Sequence, residues 1–200
     1  MRNIHIPLVF CATLIYIVGC SYALVTDTND PNKKIDQAYQ MWEVGRWIPA
    51  EGLGLQALDI AEKKEDLLGQ ANAHRYLGNF YKGRLYRQHH DWFAEQGRYD
   101  QTSRLSIEYF KKALEIWRSM GDGWGVATEL FNMGTAYSID GDNKRSCELY
   151  AEAITIYKSP DTLFQGVSHP WNRNFKDFPS MVEAFAKSQG CGDKNMNEAR

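Results

Sequence analysis

Small and apolar residues recur at helical spacing through the middle of this chain, and short polar turns break the pattern. Two stretches carry it in register. Ala57 to Gly78 reads ALDIAEKKEDLLGQANAHRYLG, and Ala113 to Gly134 reads ALEIWRSMGDGWGVATELFNMG. Laid on each other without a gap, they share Ala57/Ala113, Leu58/Leu114, Ile60/Ile116, Asp66/Asp122, Gly69/Gly125, Ala71/Ala127 and Gly78/Gly134. Each reads as the end of one helix, a turn with Asp66 or Asp122 as N-cap, and the start of the next helix. Self-similarity over such a length predicts stacked helical hairpins, with no strand between residues 57 and 153.

Three helix pairs follow from this register. The first has Ala38 and Met41 on one helix, a turn at Gly45, and Ala50, Gly54 and Ala57 on the other, with Pro49 in a first turn that tolerates it. The second has Leu77, Gly78 and Tyr81, then Ser106, Phe110 and Ala113. The third has Met133, Gly134 and Tyr137, a turn at Gly141, then Ser146, Tyr150 and Ala153. Small residues at these places let two helix backbones approach closely. This small–aromatic–small pattern over residues 33–158 resembles the tetratricopeptide repeat (TPR). Its weakest member is the first pair, where Gly54 stands in place of the usual aromatic. The resemblance implies an all-α, TPR-like α-solenoid of about three helix pairs, with the first helix of each pair lining a concave face.

From Gly78 to Ser106 the chain carries 16 more residues than from Gly134 to Ser146. The extra stretch, about 85–103, keeps Tyr81, Leu85, Trp92 and Phe93 near helical spacing. Divided between both helices, it predicts a second hairpin projecting beyond its neighbours, with Tyr86, Trp92 and Phe93 as contact residues; the alternative is an exposed excursion of the chain. After Tyr157 the pattern stops. Residues 159–190 read as a C-terminal cap, with Phe164, Trp171, Phe175 and Phe178 covering the open end. A capping box from Ser180 to Glu183 starts a last helix there, and a disordered tail is expected at 191–200.

The TPR register carries Asn72, Arg75, Asn79 and Lys82 of the second pair onto the concave face. Tyr39 and Trp42 of the first pair join them, as do Phe131 and Thr135 of the third. Asn side chains suit the backbone of an extended peptide, and Arg75 and Lys82 suit a carboxylate. The same residues equally describe a solvated groove. Catalysis finds no support: there is no nucleophile elbow, phosphate loop or CxxC pair. His89, His90 and Asp91 are adjacent, so on a helix they diverge rather than converge on a metal. No metal, cofactor or small-molecule substrate is expected.

The amino terminus adds a compartment. An apolar run from Ile6 to Val18 follows Arg2 and ends at Gly19-Cys20. It is short for a membrane span and has the layout of an export signal. One reading is a peptide cleaved near Ser21-Tyr22-Ala23. The other is a lipoprotein signal over residues 1–19, since Ile17-Val18-Gly19-Cys20 resembles a bacterial lipobox. In that case the thiol of Cys20 is acylated, residues 20–32 form a tether, and Ser21 rather than Asp implies the outer membrane. Without Arg2 the chain keeps 22 basic and 25 acidic residues, near −3, with no basic stripe for nucleic acid. Outside the signal, which itself contains Cys11, Cys147 and Cys191 remain besides Cys20, as a disulfide or as two separate thiols. The sequence thus predicts a non-catalytic adaptor on the periplasmic face of the outer membrane, binding an envelope or exported protein. The alternatives are an inhibitor acting through the projecting hairpin, and a metal-dependent enzyme using His89 and His90.

Overall fold

A computed structural model describes residues 27–159 and 175–192, and these form helices and turns with no strand among them. The helices are α1 (Pro31–Glu43), α2 (Trp47–Lys63), α3 (Leu67–Lys82), α4 (Arg84–Gln88), α5 (His90–Glu95), α6 (Arg104–Ser119), α7 (Gly123–Ile139), α8 (Asn143–Lys158) and α9 (Phe178–Ser188). Each long helix packs on the next. In addition α1 touches α3 and α3 touches α7, so these three lie side by side with α2, α6 and α8 behind them. Among the described residues no helix is long and apolar enough to cross a membrane.

The two matching stretches adopt the same local structure. Asp66 Oδ1 accepts the backbone N–H of Gly69 at 2.9 Å, and Asp122 Oδ1 accepts that of Gly125 at 2.8 Å. Each carboxylate satisfies one of the free donors at its helix start. Behind the caps, a Cβ on Gly69 would lie 3.0 Å from the Cβ of Ala61, and one on Gly125 would run into the Trp117 ring. Further along, a Cβ on Gly78 would lie 2.5 Å from Cε1 of Phe110, and one on Gly134 2.6 Å from Cε1 of Tyr150. Backbone and ring are in direct contact at both crossings. The first pair solves the same problem differently. Gly54 has no aromatic of its own, and Tyr76 from α3 takes the place, 2.5 Å from where a Cβ would be, with its hydroxyl donating to Ala50 O at 3.0 Å.

The expected projecting hairpin is not formed. Gly83 ends α3 in an extended conformation (φ −68°, ψ 161°), and a Cβ there would lie 2.7 Å from Trp42. The chain then folds back through α4 and α5 onto the start of α2. Trp47 meets His89 at 4.5 Å, Trp92 at 4.6 Å and Phe93 at 5.4 Å between ring centroids. Tyr86 is 2% exposed and Phe93 is fully buried, while Trp92 is partly covered. Helical spacing of aromatics is shared by a long straight helix and by two short ones, and burying those rings favours the second. The loop after α5 is pinned: Tyr86 Oη donates to Arg98 O at 2.8 Å and accepts from Asp100 N at 2.9 Å.

At the carboxyl end α9 packs on α8, and Phe178 meets Trp124 and Tyr157, both at 5.2 Å. Its N-cap is Asp177, which forms a capping box with Ser180, three residues ahead of the predicted start. Asp177-Phe-Pro places the carboxylate just before a proline in the first turn, the geometry a cap prefers. Cys191 is disulfide-bonded to Cys147 of α8, with Cα atoms 5.6 Å apart. Cys20, the export signal, most of the tether, Phe164, Trp171 and the tail beyond residue 192 lie outside the described residues.

Gly78→Ala tests the close crossing. An ordinary helical Gly→Ala change gains about 1 kcal/mol, but here the methyl meets a fully buried ring, and overpacking costs roughly 1–3 kcal/mol. A lowered melting temperature by circular dichroism is expected. The opposite sign is expected at Glu65, whose φ of 53° stands where the matching turn has Gly121 at 69°. A side chain there costs about 1–2 kcal/mol, less the entropy a glycine brings. Glu65→Gly should therefore raise stability by up to about 1 kcal/mol.

Candidate functional site

The side formed by α1, α3 and α7 gathers Tyr39, Trp42, Arg75, Asn79, Lys82 and Thr135, six of the residues expected there. Arg75, Asn79 and Lys82 recur at four and three residues along α3, which keeps them on one face of the helix. Asn79 hydrogen-bonds Tyr39, which burial drives to a raised pKa despite that bond. Trp42 stacks on Tyr39 at 5.9 Å and meets Tyr76 and Phe80 edge-on, both at 6.0 Å. The two aromatics are therefore partly committed to the α1–α3 contact.

Two expected members are engaged by other parts of the chain. Asn72 lies near the start of α3 and donates to Asn32 Oδ1 at 3.0 Å. Phe131 is covered by α9, meeting Phe185 at 5.2 Å and Phe178 at 6.0 Å, because the last helix packs where the next pair of the array would begin.

The centre holds a residue that the sequence reading passed over. Glu129 of α7 is fully buried. Its Oε1 accepts from Arg75 Nε and from Trp117 Nε1 (3.2 Å), and its Oε2 accepts from Asn132 Nδ2 at 3.3 Å. Arg75 also lies 4.8 Å above the Trp117 ring. A buried carboxylate without such partners would be untenable. The signal was present as a lone acidic residue in the apolar run from Gly125 to Ala136. Arg75 is therefore paired inside the fold, which removes it as a free clamp for a guest carboxylate. Its buried Nη2 has no hydrogen-bond partner among the described residues.

Lys82 is the exception. Its Nζ donates to Thr135 Oγ1 at 2.9 Å and Asn132 Oδ1 at 3.4 Å, and sits 5.1 Å over Phe110. All are neutral groups. Burial pushes its pKa down to about 8, only partly opposed by Glu129. The inner face thus sets two cations, Arg75 and Lys82, against one carboxylate.

Elsewhere, His89 and His90 gather no metal-binding set: among the described residues no group of three or more His, Cys, Asp or Glu converges. His90 pairs with its neighbour Asp91 at 2.9 Å, and His89 stacks on Trp47. Comparison of the chain with protein-family models, with curated proteins and with solved structures finds no match.

Lys82→Met checks the electrostatics. The folded pKa of about 8 lies below the unfolded lysine value of about 10.4. Between those limits the unfolded chain binds more protons, so this group makes stability rise with pH; below 8 its cost is constant. The variant should be more stable than the native chain at pH 7, by up to about 3 kcal/mol from the size of the shift. The difference should shrink as pH rises from 8 towards 10, measured by urea titration at each pH.

Proposed function

We propose that the protein is a non-catalytic TPR adaptor of the bacterial envelope. It is anchored by an acylated Cys20 at the periplasmic face of the outer membrane, and it holds an extended peptide of a partner protein against the face formed by α1, α3 and α7. The observation that carries this reading is Lys82. A half-covered cation with neutral partners only lowers stability, and a group kept at such a cost belongs to a function more often than to a fold. An anionic or carbonyl-rich guest would relieve it, while Asn79 and Thr135 hold peptide groups. Repeated helix crossings at Gly78 and Gly134 support the TPR architecture. An inhibitor working through a projecting hairpin loses its instrument, because Tyr86 and Phe93 are buried.

A photo-reactive amino acid placed at Ser138 on the inner face, and at Lys111 on the outer, tests the reading in intact cells. A cross-linked envelope protein is expected from Ser138 alone and should disappear in Lys82→Met, whose fold is at least as stable. Equal cross-linking from Lys111, or persistence in the variant, would overturn it. Palmitate labelling lost in Cys20→Ala checks the anchor.

A further inference from the structure

On the side away from the inner face, the folded-back segment borders a half-open cavity of about 310 Å³ between α2, α6 and the loop after α5. That is near the lower limit of small-molecule sites, roughly 300 Å³. Its wall is apolar and aromatic, from Leu55, Leu105, Tyr81, Tyr99 and Tyr109, and Arg98, Asp100 and Arg104 bring polar groups to it. The wall is held from within. Buried Glu51 accepts from Arg98 Nη1 at 2.6 Å and from Tyr81 Oη at 2.7 Å through the same oxygen, Oε1. Because the loop is also fastened by Tyr86, the site needs little ordering to receive a ligand.

The charges decide what kind of ligand fits. Arg98 is paired with Glu51, and Arg104 with Asp100 (2.7 Å) and Glu108 (2.9 Å). These charges are already balanced by their partners, so an ionic guest gains little from them and a neutral one disturbs none of the pairs. The paired ions still offer unused guanidinium N–H donors, and the hydroxyls of Tyr99 and Tyr109 make no hydrogen bond among the described residues. A neutral ligand with an apolar face for the wall and hydroxyls that both donate and accept is a saccharide ring. We propose that this cavity binds one neutral sugar ring, independently of the inner face. The ring comes either as a free monosaccharide or as the end of a glycan.

Saturation-transfer NMR on the full chain tests it, with glucose, galactose and N-acetylglucosamine in one arm and a trimer of N-acetylglucosamine in the other. Transfer to ring C–H protons is expected in at least one arm, and stronger transfer from the trimer would assign the glycan source. The affinity should fall about tenfold or more in Arg104→Ala. That side chain is 66% exposed, so the fold survives its loss. Tyr109→Ala should lose the signal as well, and Lys144→Ala on α8 should keep it. No transfer in either arm, transfer unchanged in Arg104→Ala, or preference for an aromatic carboxylate over every sugar would overturn the proposal.

Discussion

The fold depends on the absence of side chains at two places where helices cross. At Gly78 and Gly134 the backbone of an inner helix lies against a fully buried ring of the helix behind it. No residue with a Cβ fits without moving the ring or the helix. Each contact fixes both the distance and the rotation of its own helix pair. Ser106 strengthens the first crossing, with its hydroxyl donating to Gly78 O at 2.8 Å. Tyr76 shows that the constraint is on volume and not on which helix supplies it, since the ring over Gly54 arrives from the following helix.

Once the helices are held that closely, polar groups between them must be satisfied by one another. Glu129 and Glu51 are the two cases. Each is a buried carboxylate inside an apolar stretch, and each is met by an arginine from a distant part of the chain and by an aromatic donor, Trp117 or Tyr81. Removing either arginine would strand a charge, which is worth several kcal/mol, whereas an apolar replacement of the whole group need not cost anything. The pairs therefore specify which helix faces which, more than they stabilise.

The regular part of this arrangement was legible in the sequence, and the irregular part was not. Asp66 and Asp122 could be placed as caps, and Gly78 and Gly134 as crossings, because local chemistry and repetition agree at those positions. The stretch from Gly83 to Ser103 misled because its aromatics keep helical spacing whether the helix runs straight or turns back. Only Gly83 marked the break, and one glycine is a weak sign. The inner face was half legible. The resemblance to the TPR register singled out Arg75, Asn79 and Lys82 but carried no information on what opposes them. Arg75 had to be matched with Glu129, fifty-four residues away, and such a pairing has no local trace.

The two faces are consequently of different kinds. On the outer side the two arginines that line the cavity, Arg98 and Arg104, are each matched to a carboxylate. On the inner side one lysine is left with only neutral partners. Packing does not demand this: methionine at 82 would fill similar space over Phe110 without burying a charge. A stack of helices built only for stability would have no reason to keep that cation, so it is best understood as one half of an interaction. In the proposed function the other half belongs to a guest lying along α3, where Thr135 already accepts from the lysine.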